Sequence, residues 1–263
     1  MQPSTYGMIP VAKRPEPAPR PAARPYIPVR HAVLPEHLTA SGSWAASAAF
    51  EPIQVLASHV LARYGDRPFA TVAVTSSLPS EGKTTVALSL ALRLATARRK
   101  RVLVVDFDLH RGSLSREVCL HDSRGLLDRL AGDSPTAALP VYPTDCPGLS
   151  VAPCGRMSAH ARSPLPDRDQ VCDVLEAARH QGFDLALVDC PPLVPVADAQ
   201  VIGGVADGAI LVVRAYRTPR KVIEAAIGEF GRDRFFACVL NRASPDEIPY
   251  FRDVYAYYRS PRD

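Results

Sequence analysis

The sequence predicts an α/β protein built on a mainly parallel sheet with helices on both faces. Three observations predict it. Short apolar runs recur at residues 69–75, 102–105, 185–188, 209–213 and 236–240, and strands that are apolar on both sides belong to sheets covered from both sides. The stretches between several of them carry helical spacing, the alternation that marks parallel βαβ units. The chain has 263 residues, 47% hydrophobic and 22% charged, a globular composition with enough apolar side chains for a sizeable core.

The elements follow in order. Nine prolines fall within the first 35 residues, with Lys13, Arg14, Arg20, Arg24 and Arg30 among them. Proline lacks the donor that helix and sheet both need, so residues 1–47 are expected to form a disordered basic tail. A folded domain is expected over 48–245 and a tyrosine-rich tail over 246–263. Residues 48–63 can form an amphipathic helix with Phe50, Ile53, Leu56, Val60 and Leu61 on one face. Residues 69–75, bounded by Pro68 and Ser76, read as a strand. Residues 84–97, rich in Ala and Leu, read as a helix, and 102–105 as a second strand. Residues 131–168 are rich in Pro, Ser, Asp and Gly and read as loop with one short strand at 149–151. A helix at 169–180, strands at 185–188 and 209–213, a helix at 219–230 and a strand at 236–240 complete the domain.

Several classes are excluded or disfavoured. A net charge of +4 is too small to mark a nucleic-acid binder, and no recognition-helix pattern accompanies it, so no nucleic-acid partner is expected. The six cysteines contain no CxxC pair, which argues against a zinc ribbon or a dithiol redox site and for reduced thiols in a cytoplasmic chain. The longest apolar runs fall far short of the ~18–20 residues that cross a bilayer.

The chemistry sits in three motifs. The strand ending at Thr75 runs into Ser76, Ser77, Leu78, Pro79, Ser80, Glu81, Gly82, Lys83, Thr84 and Thr85, and a helix follows. Strand, loop and helix N-terminus are the context of a phosphate-binding loop, where backbone N–H groups and the helix dipole surround phosphates. Lys83 would reach the β- and γ-oxygens, and the Thr84 hydroxyl would ligate magnesium. Ser77 stands where the standard loop has its first glycine. In the second motif Asp106 and Asp108 lie at i and i+2 past a buried strand, on one side of the chain. In the third, Asp189 ends another buried strand and is followed by Cys190, Pro191 and Pro192. Ligands of open α/β sheets bind outside such strand ends. The expected ligand is therefore a nucleotide with Mg2+, converging on three carboxylates, a lysine and a threonine hydroxyl.

This order of motifs resembles the bacterial protein-tyrosine kinases, cytosolic autokinases of capsule and exopolysaccharide export, over about residues 48–258. Val212, Val213 and Arg214 followed by Thr218, and Val239, Leu240 and Asn241, extend the likeness. The family belongs with the MinD and ParA types of ATPase, which implies a MinD-like three-layer α/β/α fold. Those types carry a lysine early in the loop where Leu78 stands here, which favours the kinase branch. The resemblance implies that Lys83, Asp106 and Asp108 are catalytic, with Asp106 accepting the tyrosine proton. It implies that Glu81, Gly82, Lys83, Thr84, Thr85, Arg214 and Asn241 contact the nucleotide, Asn241 at the adenine, and that Thr84, Asp108 and Asp189 hold magnesium. The family's acceptors are C-terminal tyrosines, matched by Tyr250, Tyr255, Tyr257 and Tyr258.

The chain also departs from the family. His110 replaces an arginine two residues past Asp108. The oligomerisation helix motif Glu-x2-Arg-x2-Arg is represented by Glu51, Gln54 and Ala57, which leaves homo-oligomerisation open. The implied function is ATP-dependent tyrosine autophosphorylation regulating polysaccharide polymerisation and export. The implied partner is a membrane adaptor of the chain-length-determinant type, which would recruit the kinase to the inner face of the membrane. The competing readings are a MinD/ParA-like ATPase switch that phosphorylates nothing, and an adaptor that binds nucleotide without turnover.

Overall fold

Seven strands build one sheet: β1 (Ala70–Ser76), β2 (Val102–Asp106), β3 (Tyr142–Pro143), β4 (Leu149–Ala152), β5 (Leu185–Asp189), β6 (Gly208–Arg214) and β7 (Phe235–Asn241). Their spatial order is β3-β4-β2-β5-β1-β6-β7. Every pairing is parallel except β3 against β4. The computed structural model describes residues 32–39, 50–98, 100–131, 138–156, 166–194 and 198–243. The tyrosines at 250, 255, 257 and 258 and residues 1–31 lie outside the described residues.

The helices are α1 (Glu36–Thr39), α2 (Phe50–Tyr64), α3 (Lys83–Arg98), α4 (Ser113–Glu117), α5 (Leu126–Leu130), α6 (Arg168–His180), α7 (Asp198–Val205) and α8 (Arg220–Phe230). Alternation along the strands divides the core into two layers. Val72, Val74, Val104, Leu187, Ile210 and Val212 face α2 and α3, while Ala73, Val105, Val188, Leu211 and Val213 face α6, α7 and α8. Both layers are mostly apolar, and β1, β2 and β5 are buried at every position, including Thr71, Thr75 and Ser76 of β1 and the aspartates that end β2 and β5.

Each helix and strand expected within 48–245 is present, with ends moved by one or two residues. Within that range three helices were not expected: α4, α5 and α7. The first two have five residues each, shorter than two turns, so they carry no readable periodicity. In α7 the pattern is broken by Gly203 and Gly204. Gly203 lies so close to Phe230 that a Cβ would sit 2.1 Å from its ring, so the glycine serves the packing of α7 on α8. The expected 131–168 loop holds β3 as well as β4.

The N-terminal boundary needs correction. Residues 32–39 were expected within the disordered tail, yet Ala32, Leu34 and Leu38 are at most 4% exposed. Ala32 N–H donates to the Pro143 carbonyl and Val33 N–H to that of Val118. Three apolar anchors past the last cluster of prolines are enough to fasten this segment to the sheet edge. In α2, Pro52 sits in the first turn, where no intrahelical donor is lost. Ala57, which matches the family's second arginine, is 4% exposed in the core, while Glu51 and Gln54 face solvent.

Candidate active site

The sheet register brings the three motifs together. Asp106 and Asp189 are direct partners across β2 and β5, and Asp189 also pairs with Val74 of β1. The loop leaving β1 therefore rises beside both carboxylates. Pro191 continues the chain past Asp189, and its carbonyl accepts the Thr75 hydroxyl at 2.8 Å.

The loop presents unpaired donors. Val86 N–H reaches back to the Gly82 carbonyl, but among the described residues no acceptor meets the N–H groups of Ser80, Glu81, Gly82, Lys83, Thr84 or Thr85. The first of these N–H groups lie in the loop and the last open α3, where an anion completes the helix end. Ser77, at the start of the loop, is fully buried and its hydroxyl has no partner, a kind of unsatisfied group that concentrates at functional sites.

Lys83 lies under the loop between two carboxylates. Its Nζ is 2.9 Å from Asp108 Oδ2 and 3.5 Å from Asp189 Oδ1. Burial opposes the ammonium, but the charges of Asp189 and Asp108 outweigh it and hold the lysine above its ordinary range. Thr84 Oγ1 donates to Asp189 Oδ2 at 2.7 Å. Burial raises the Asp189 carboxyl above the usual range, against the pull of Lys83 and the Thr84 hydroxyl.

Asp106 is treated differently. Its Oδ2 accepts from the Ser115 N–H at 2.8 Å and the Ser115 hydroxyl at 2.6 Å, and its Oδ1 accepts from Asp108 N–H at 3.2 Å. Complete burial and the Asp189 charge push its carboxyl up to about 7, opposed by the Ser115 bonds and by Lys83. Three of the roughly four acceptor positions of a carboxylate are used, which leaves one for an incoming hydroxyl.

The oxygen donors fit magnesium. Thr84, Asp108 and Asp189 offer a hydroxyl and two carboxylates, hard ligands of the kind this ion takes. They do not form a closed cage: among the described residues no three His, Cys, Asp or Glu side chains are grouped to hold a metal. The remaining positions of an octahedral ion would fall to phosphate oxygens and water.

The other expected site residues are also at this end of the sheet. The Asn241 amide donates to the Glu81 carbonyl at 2.8 Å. A Cβ on Gly82 would lie 2.0 Å from that amide nitrogen, and Gly82 has φ of 97°. Both facts require glycine there. Arg214 ends β6 with its N–H on the Glu81 carboxylate at 3.1 Å. Burial and the nearby Arg242 and Arg217 lower its guanidinium from its ordinary value.

Sequence reasoning missed Ser115 as the support of Asp106. It lies nine residues downstream in a five-residue helix, and no spacing rule points to it. His110 Nε2 and Asp198 Oδ2 meet at 2.8 Å, joining the segment after Asp108 to the start of α7. His110 was visible only as a departure from the family pattern, and nothing in the sequence paired it with a residue 88 positions away.

No family model matches the chain. It is 31% identical to the tyrosine-protein kinase CpsD of Streptococcus agalactiae over 182 residues, which cover 68% of this chain and 77% of that protein. The tyrosine-protein kinase YwqD of Bacillus subtilis is 31% identical over 59% of this chain and 64% of its own length. The succinoglycan biosynthesis transport protein ExoP of Rhizobium meliloti is 28% identical over 69% of this chain, which spans only 23% of ExoP. Among solved structures, the kinase domain of the Escherichia coli tyrosine kinase ETK superposes with a TM-score of 0.64 at 23% identity, covering 81% of this chain and 91% of that one. The MinD cell division protein of Aquifex aeolicus superposes at 0.55 and 21% identity, covering 69% and 72%. These two superpositions establish the fold expected from the sequence, a MinD-like α/β/α sheet.

Proposed function

Because the chain belongs to the bacterial tyrosine-protein kinase family, we propose that it is an ATP-dependent protein-tyrosine autokinase acting in capsule or exopolysaccharide synthesis and export. The observation that carries the reading is the contrast between two carboxylates on neighbouring strands. Asp189 sits against an ammonium and a hydroxyl, the equipment for binding a charged phosphate. Asp106 sits among neutral donors with its carboxyl near neutrality, the equipment for taking a proton. A nucleotide switch has use for the first arrangement, and a kinase uses both. The names of the relatives favour the kinase over the switch.

The residues divide the work as follows. The N–H groups at the start of α3 and the Lys83 ammonium hold the triphosphate. Asp108 and Asp189, with the Thr84 hydroxyl, would hold magnesium, which supplies charge neutralisation on the phosphate oxygens. The tyrosine hydroxyl oxygen attacks the γ-phosphorus, the bond to the bridging oxygen breaks, and ADP leaves. Asp106 orients the hydroxyl and accepts its proton. Little covalent chemistry is asked of the protein, since phosphoryl transfer depends mostly on positioning and charge. The acceptors are Tyr250, Tyr255, Tyr257 and Tyr258, with the last three favoured by their polar surroundings in the sequence.

No helix among the described residues is long and apolar enough to cross a membrane. We place the kinase in the cytoplasm, recruited to the inner face of the membrane by an adaptor of the chain-length-determinant type. Incubation with magnesium and ATP, followed by mass spectrometry of the C-terminal peptides, tests the reading. Phosphate on these tyrosines in wild type and none in Lys83→Met is the expected result. ATP hydrolysis with unmodified tyrosines, with the adaptor's cytosolic segment present, would return the chain to the switch class.

A further inference from the structure

The phosphate loop is held in a shape that one of its own residues does not favour. Ser80 has φ of 64°, in the left-handed region that disfavours any side chain with a Cβ by roughly 1–2 kcal/mol. Gly82 follows at φ of 97°, where glycine costs nothing. Something outside Ser80 must therefore keep the backbone of residues 78–82 turned.

Glu81 lies between these two residues, and its side chain does not reach outward. It is 2% exposed. Its Oε2 accepts the Leu78 N–H at 2.7 Å, closing the loop on itself. Its Oε1 accepts the Arg214 N–H at 3.1 Å and also the Thr218 hydroxyl. Its backbone carbonyl accepts the Asn241 amide. One residue thus ties the loop to itself, to the end of β6, to the turn before α8 and to the end of β7. Among the described residues it has no cationic partner, so its charge is held by hydrogen bonds alone. A buried carboxylate is costly to keep without strong donors, and here the donors come from both walls of the phosphate cradle.

We infer that Glu81 is a positioning residue for the nucleotide phosphates. Its carboxylate pins the loop in the left-handed turn that Ser80 resists and locks that turn to the ends of β6 and β7. The N–H groups that meet the phosphates are thereby pre-aimed before nucleotide arrives. The inference rests on the nucleotide-binding part of the proposed function. It also explains how this chain tolerates serine at a position where a flexible residue would be unstrained.

The test is titration of the full chain with a fluorescent ATP analogue and magnesium, alongside thermal melting without nucleotide. Glu81→Gln keeps the side-chain shape but turns an NH2 group toward a backbone N–H, and the loop should give way. Affinity is expected to fall about tenfold, the effect of one lost buried hydrogen bond and one unsatisfied donor. Ser80→Gly removes the opposing strain, so adding it to Glu81→Gln should recover about two- to fivefold of the loss. A merely structural role for Glu81 would lower the melting temperature without rescue of affinity by Ser80→Gly, and that result overturns the inference. So does a Glu81→Gln chain that binds as tightly as wild type. Should Glu81→Gln fail to fold, Thr218→Val carries the test. It removes one donor from outside the loop and should weaken binding about two- to fivefold, with unchanged affinity counting against the pin. A wild type that binds ATP without phosphorylating tyrosine overturns the kinase reading alone.

Discussion

The ends of β2 and β5 are neighbours in register, and each presents an aspartate at the same level of the sheet. At the end of β5, Asp189 faces the Lys83 ammonium and the Thr84 hydroxyl. At the end of β2, Asp106 faces the two donors of Ser115. Both are completely buried, and desolvation raises both carboxyls. What differs is the charge of the partner. The adjacent cation and hydroxyl pull Asp189 back toward its charged form, while Asp106, with neutral donors nearest, is pushed up to about 7. The two residues are identical in type and in place on their strands, and their surroundings diverge through residues contributed by α3 and α4.

Removing the cation should have the largest effect on that contrast. Lys83→Met leaves Asp108 and Asp189 buried without a cationic partner, and breaking such a pair costs about 3–5 kcal/mol in other proteins. Nucleotide binding, ATP hydrolysis and tyrosine phosphorylation are all expected to be lost in this variant. Calorimetric titration with ATP and a denaturant melt would register both effects. Retained binding would show that the loop N–H groups suffice.

Changing the other aspartate should separate binding from transfer. Asp106→Asn keeps the shape but cannot take a proton, so phosphorylation should fall about 10²–10⁴-fold, with nucleotide affinity nearly unchanged. An equal fall in both would merge the two carboxylates into one binding unit and end the distinction.

The contrast also has a pH signature in the metal-free protein. The folded carboxyl of Asp106 is pushed up to about 7, above its unfolded value, so between about pH 4 and 7 the folded state binds more protons than the unfolded state. Stability from this group is therefore greatest below the unfolded value and declines as pH rises through 7. Denaturation at pH 5 and pH 8 should show wild type losing more stability over this interval than Asp106→Asn. Asp189 shifts in the same direction, so a residual slope is expected in Asp106→Asn as well. Identical slopes would contradict the account of Asp106.

The smallest effect is expected at Ser115. Ser115→Ala removes one of three donors to Asp106 and should cost about 1 kcal/mol in stability. It should also move the midpoint of the rate profile upward in pH, because one bond to the charged form is gone. A rate profile that does not move would assign Ser115 to packing alone.

How much of this could be read from the sequence follows from the range of the interactions. The buried strands were legible because a parallel sheet covered on both faces leaves only apolar positions, as in Val102, Leu103, Val104 and Val105. The phosphate loop was legible because Gly82, Lys83 and Thr84 are adjacent and must open a helix. Asp106, Asp108 and Asp189 were legible as strand-end carboxylates, but not the division between them. That division depends on Ser115, whose helix is too short for periodicity. The pin formed by Glu81 depends on Arg214, Thr218 and Asn241, all more than 130 positions away. The packing of Ala32, Leu34 and Leu38 was hidden by the proline-rich text before it.

The central claim is that Asp106 works as the base of a tyrosine phosphotransfer while Lys83 and Asp189 hold the nucleotide. The most direct measurement is C-terminal peptide mass spectrometry after magnesium and ATP, run on wild type and Asp106→Asn with nucleotide binding followed in parallel. The account predicts phosphate on Tyr255, Tyr257 or Tyr258 in wild type only, with both chains binding ATP. Equal tyrosine phosphorylation in the two chains would contradict it.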